Sequence, residues 1–155
     1  MSDTGDEITV EEVREPCDVT PEVVGALGQL VPQLSSSPAP SAADVARIVG
    51  GQCTTLLIAR SGAGRVVGSL TLVVFRVPTG LRAWIEDVVV DASIRGKGVG
   101  EALVRSALDR ARQAGVGTVD LTSRPSREAA NRLYRRIGFE TRQTNVYRYR
   151  LEPGL

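Results

Sequence analysis

The sequence predicts a mixed α/β protein: a central, mostly antiparallel, twisted sheet of six to seven strands flanked by about four helices. Three observations predict it. Apolar residues alternate at period two in some stretches and recur at helical spacing in others. Three strand-like stretches between Thr54 and Val90 follow one another through short turns, which makes an antiparallel meander the economical arrangement. Finally, helical stretches both precede and follow that meander, which places helices over the faces of a sheet.

Ile8 to Glu15 alternates imperfectly and reads as a first strand. Thr20-Pro21-Glu22 carries a capping hydroxyl, a proline and an acid at the start of a helix, continued by Val23, Val24, Leu27, Leu30 and Val31. After a Ser/Pro-rich loop at 35–40, Ser41 caps a second short helix that runs through Ile48 and ends at Gly50-Gly51. Thr54 to Arg60, Arg65 to Arg76 and Leu81 to Val90 are the meander strands, rich in β-branched residues. From Gly98 to Ala114 the pattern is helical, with Val99, Leu103, Ala107 and Ala111 on one stripe. Val116 to Thr122 reads as a strand. Ser126 is placed to cap a helix over Glu128 to Ile137 that ends at Gly138. Phe139 to Thr141 and Val146 to Leu151 read as closing strands. With no internal repeat, residues 1–155 are expected to form a single domain, and the acidic segment 1–7 to be disordered.

Composition narrows the chemistry. A formal net charge of +1 and an aromatic content of 4% argue against a nucleic-acid partner. The apolar stretches are too short and interrupted to span a bilayer, so no membrane role is expected and the default location is cytoplasmic. Two distant cysteines, Cys17 and Cys53, and no histidine form no metal-ligand cluster, so no metal is expected. The missing histidine also removes the usual Ser–His and Cys–His nucleophile pairs and leaves acid–base work to Glu, Asp, Tyr, Lys, a water or the substrate.

The stretch Arg95-Gly96-Lys97-Gly98-Val99-Gly100 lies between a strand and a helix start. Its glycines allow close approach of backbone to ligand, and the unpaired N–H groups of a helix N-terminus attract an anion, which Arg95 and Lys97 reinforce. A phosphate or pyrophosphate suits it. Neither the Walker loop nor the dinucleotide fingerprint fits, because Glu101 falls where the latter needs its third glycine.

Arg95-x-x-Gly98-x-Gly100 resembles the pyrophosphate-binding signature of Gcn5-related N-acetyltransferases. Trp84 to Asp91 looks like that family's fourth strand, and Asn131-Arg132-Leu133-Tyr134, followed by Gly138-Phe139, looks like its later motif. The resemblance spans about Val66 to Leu151. It implies that acetyl-CoA is the co-substrate and that backbone groups of Val88, Val89 and Val90 pair with the pantetheine arm. It further implies that the main chain from Arg95 through Gly96, Lys97, Gly98, Val99 and Gly100 holds the pyrophosphate, and that Asn131 contacts the coenzyme arm. Tyr134 would stand near the thioester sulfur as general acid. Three residues separate Asn131 from Tyr134, which puts both on one helix face independently of any resemblance.

The general base is left between Glu86, Asp87 and a water, with Glu86 the first candidate. Neighbours on a regular strand face opposite sides, and a bulge would change which of the two enters the site. The expected reaction is direct attack of a small-molecule or peptide amine on the thioester. The alternative is an acyl-CoA-binding sensor, or pseudoenzyme, without transfer. A homodimer is compatible with the resemblance and not required by it.

Overall fold

A computed structural model describes residues 7–153, so residues 1–6 of the segment expected to be disordered lie outside the described residues. In chain order the elements are β1 (Thr9–Val13), α1 (Pro21–Leu34), α2 (Ala42–Gly50), β2 (Thr54–Arg60), β3 (Val66–Val77), β4 (Gly80–Val90), α3 (Val99–Gln113), β5 (Val119–Asp120) and α4 (Glu128–Ile137). Short 3-10 turns occupy Pro16–Asp18 and Ala92–Ile94.

Local chemistry accounts for most boundaries. Thr20 Oγ1 accepts from the Val23 N–H at 3.2 Å and starts α1. Ser41 and Asp44 cap α2 reciprocally, each side chain accepting the other residue's backbone N–H. Gly138, at φ 119°, ends α4 in the left-handed region. The expectation that Ser126 caps α4 is corrected: Arg127 is the N-cap, and its side chain makes no capping bond.

The strands lie in the order β1-β2-β3-β4-β5. The first four are antiparallel to their neighbours, while β5 runs parallel to β4. Two cores result, one on each face. Val23, Leu27 and Leu30 of α1 and Val45 of α2 pack on Leu56, Ile58, Val66 and Val89. On the other face, Val99, Leu103, Val104 and Ala107 of α3, with Tyr134 of α4, cover Leu57, Leu70, Leu72 and Ile85. Covering both faces explains why Leu56 to Ala59 are all buried and why β2 reads as a continuous apolar run instead of alternating.

The described strands number five, fewer than the six to seven expected. The strand expected over 116–122 shortens to Val119–Asp120. Phe139 to Thr141 and Val146 to Leu151 form no strand, although the latter alternates well. A strand exists only through ladder bonds to a neighbour, and no described residue pairs with this segment. Val146, Tyr147, Tyr149 and Leu151 are consequently 73–88% exposed. No described helix is long and apolar enough to cross a membrane.

Candidate active site

A bulge in β4 organises the site. Ser69 stands opposite Val89 and Thr71 opposite Glu86, so Leu70 alone faces both Asp87 and Val88. Asp87 takes φ 52°, the one positive φ at a non-glycine position among the described residues. The extra residue inverts the alternation. Before the bulge, Ala83 and Ile85 point into the α3 core; after it, Val88 and Val90 do so, and Val89 turns to the α1 side. Glu86, paired with Thr71, therefore lies on the α1/α2 face, and both Glu86 and Asp87 remain accessible. A regular strand would have forced Asp87 into the α3 core, where its charge would be costly.

The second feature is a gap. β5 pairs with β4 only through Ala83↔Val119 and Trp84↔Asp120. Beyond Trp84 the two parallel strands part. The β4 edge from Ile85 to Val90 is bonded to β3 on one side and carries no strand on the other. Open backbone donors and acceptors along such an edge can receive an extended ligand in the manner of an added strand. Val88, Val89 and Val90 all lie on it.

The third feature is the N-terminus of α3. Gly98, at φ 82°, is its N-cap and offers no side chain to the first turn. The first helical bond is Ala102 N–H to Gly98 O, which leaves the preceding N–H groups without an intrahelical partner. Gly96, at φ 80°, makes the other left-handed turn, and nothing lies within 4 Å of where a Cβ at Gly96 or Gly98 would be. Arg95 and Lys97 are exposed beside this turn. Open space, unpaired N–H groups and two cations suit a phosphate, so the residues present fit the pyrophosphate of a coenzyme. Gly68, which the sequence reading passed over, seats this helix: a Cβ there would lie 2.9 Å from Val99 Cγ1 and 3.0 Å from Leu103 Cδ1. A lone glycine inside a β-branched strand was the available signal.

Tyr134 comes from α4 on the other side of the gap. It is buried, and its ring meets Phe139 edge-on with centroids 5.8 Å apart. Among the described residues its hydroxyl has no hydrogen-bond partner, so it is free to donate. Burial raises the pKa of the phenol, and the positive charge of Arg127 opposes that rise. Asn131 is half-buried and donates through Nδ2 to Arg124 O at 2.9 Å, which fixes the loop between β5 and α4. Glu86, on the opposite sheet face, is pushed above the usual carboxylate range, first by desolvation and then by the neighbouring charge of Asp87. Along β5 and the start of the C-terminal segment runs a groove of about 680 Å³, whose lining includes Trp84, Asn131 and Tyr134 but not Glu86.

The structure thus brings together the β4 edge, the α3 turn and Tyr134, and sets Glu86 across the sheet from Tyr134. Among the described residues no group of three or more His, Cys, Asp or Glu is placed to hold a metal ion.

A sheet opened beside a bulged strand, with a glycine-rich helix N-terminus at one end of the gap, is the scaffold of an acyltransferase. The chain belongs to the acetyltransferase (GNAT) family, whose family model matches residues 32–139. It is 34% identical over 128 residues to the glucosamine 6-phosphate N-acetyltransferase of Trypanosoma brucei brucei, covering 81% of this chain and 83% of that protein. The crystal structure of a Trypanosoma brucei acetyltransferase superposes with a TM-score of 0.73 at 26% identity, over 94% of this chain and all of the other. An aminoglycoside acetyltransferase from an uncultured soil metagenomic sample shares the fold, with a TM-score of 0.79 at 18% identity over 94% of this chain and 97% of its own. This chain is an acetyltransferase.

Proposed function

We propose that the enzyme transfers an acetyl group from acetyl-CoA to a primary amine by direct attack. The observation that supports this reading best is the β4 edge past Trp84, which has no neighbouring strand among the described residues and lies between Glu86 on one sheet face and Tyr134 on the other. The α3 turn from Arg95 to Gly100 holds the pyrophosphate of the coenzyme, and the β4 edge at Val88, Val89 and Val90 takes its extended arm. That placement aligns the thioester with the gap.

Acid and base then have separate access. Glu86, with its raised pKa, takes a proton from the substrate ammonium, directly or through water. A β4 backbone N–H near Val88 polarises the carbonyl under attack. Tyr134, a neutral phenol whose burial further disfavours the phenolate, gives its proton to the departing sulfur. Asn131 orders the loop that carries α4 to this position. No covalent enzyme intermediate is required, and the exposed Cys17 and Cys53 have no part in the scheme.

Thermal unfolding with acetyl-CoA, beside ATP and NADH controls, tests the coenzyme site. Ligand at a hundred times its Kd adds about 2.7 kcal/mol. Release of CoA is then followed across amines headed by amino-sugar phosphates, the acceptor class in the name of the trypanosomal relative. Stabilisation by acetyl-CoA alone, with amine-dependent release, is the expected result. Stabilisation without release across the panel would leave an acyl-CoA sensor, and no stabilisation would remove the reading.

A further inference from the structure

Two strand-like stretches lack a partner in the same part of the molecule. Val116 to Thr122 has the composition of a strand, yet among the described residues Val119–Asp120 alone pairs, and with β4. β5 ends the sheet, so its other edge has no neighbouring strand among the described residues. Val146 to Leu151 is the second stretch. In a strand, Tyr147, Tyr149 and Leu151 would share one face and Arg148 and Arg150 the other, but this tail pairs with no described residue. The two are complementary, because each can supply the ladder partner that the other lacks.

Exposure points the same way. Among the described residues, every exposed large hydrophobic side chain belongs to this tail: Val146, Tyr147, Tyr149 and Leu151. Apolar surface gathered so densely in one place marks a contact with another molecule. Along β5 runs the groove of about 680 Å³, with Val116, Val119, Leu121, Ile137 and Phe139 in its lining. The link from Phe139 to Val146 borders that groove but forms no ladder with β5, and Tyr147 to Leu151 take no part in the lining. The chain therefore carries both a strand-sized apolar tail and an apolar groove on an open strand edge, and its own tail does not fill its own groove.

We infer that the groove receives the tail of a second copy of this chain, so that two protomers exchange residues 146–151. Each copy owns one tail and one groove, so a twofold axis satisfies both at once and closes the assembly. The tail of one protomer adds to the β5 edge of its partner as an extra strand. Tyr147, Tyr149 and Leu151 enter the groove, and Arg148 and Arg150 face solvent. The two tyrosines alone offer roughly 300–400 Å² of surface per copy. Buried in both directions, with the valine, the leucine and the groove walls, this reaches the range of about 1,200–2,000 Å² that stable interfaces bury. Asn131 and Tyr134 line the same groove, so the partner's tail becomes part of the wall beside them. The pairing does not depend on the roles proposed for Glu86 and Tyr134.

Sedimentation velocity of the full chain, from nanomolar to high micromolar, should show a species with the mass of two chains. Tyr147→Glu/Tyr149→Glu should sediment as a folded monomer, since both side chains are exposed in the single chain. Thr118→Arg/Thr122→Arg, which crowds the groove at two exposed positions of its lining, should do the same with the tail intact. Circular dichroism checks that both variants fold. Hydrogen exchange on the unaltered chain needs no variant: the amides of 116–122 and 146–151 should be protected together and lose that protection together on dilution. A wild-type chain that stays monomeric overturns the proposal, as does a tail variant that remains a dimer. A groove variant that remains a dimer would mean that the tails pair with each other, and overturns their seating on β5. Exchange of 146–151 at the unprotected rate at every concentration overturns it as well.

Discussion

Gly100 lies against Leu133: a Cβ added to the glycine would come within 3.1 Å of Leu133 Cδ2 and 3.6 Å of Val90 Cγ2. The first turn of α3, the open edge of β4 and the helix that carries Tyr134 therefore meet at one point. Glu101, next along α3, binds Arg136 of α4 at 3.0 Å and secures the same junction at the surface. In Gly100→Ala, better helix propensity, worth roughly 0.5–1 kcal/mol, is offset by crowding, so Tm should change little. The KM for acetyl-CoA should nevertheless rise several-fold, because the crowding displaces α4 from the α3 turn. Steady-state kinetics beside thermal unfolding check this, and an unaltered KM would count against the junction.

Gly68→Ala should behave differently. Its Cβ would meet Val99 and Leu103 side chains and the Val89 carbonyl, all within 3.1 Å. Backbone cannot yield as a side-chain end does, so a loss of about 1–3 kcal/mol is expected. Urea unfolding should show a lower midpoint at an unchanged slope.

Tyr134→Phe keeps the edge-on contact with Phe139 and removes a hydroxyl that has no hydrogen-bond partner among the described residues. Stability should hold or rise slightly, since no hydrogen bond is broken. Loss of the acid should lower kcat by roughly a hundredfold or more, with acetyl-CoA still stabilising the fold. A kcat near that of the wild type would remove Tyr134 from the mechanism.

Glu86 supplies a pH prediction. Its folded pKa is raised, so on going up in pH the unfolded chain loses the proton first, near the usual value of about 4.3. The stability it contributes is complete below that pH and is lost as pH rises through the folded value. Glu86→Gln should therefore have a Tm above the wild type at neutral pH and equal to it in acid. The same substitution should abolish the acid limb of the kcat/KM profile. An unchanged limb would pass the base role to Asp87 or to water.

Much of this molecule is legible locally. Thr20 and Ser41 announce α1 and α2 because a cap bond spans only three residues. Gly96 and Gly98 mark the α3 turn because left-handed backbone favours glycine. The closing strands are another matter. Tyr147 and Tyr149 alternate as strand residues should, yet a ladder needs a neighbour, and β5 has only two paired residues.

The sequence by itself determined the helices, the meander, the glycine-rich turn before α3 and the placement of Asn131 and Tyr134 on one face, since each depends on contacts a few residues apart. Only the tertiary structure decided that β4 and β5 part after Trp84, and that the bulge at Asp87 sends Glu86 and Val89 to one face and Val88 to the other. Those relationships join residues far apart in the chain, and their geometry follows from how the sheet packs between two helical layers, which no local pattern encodes.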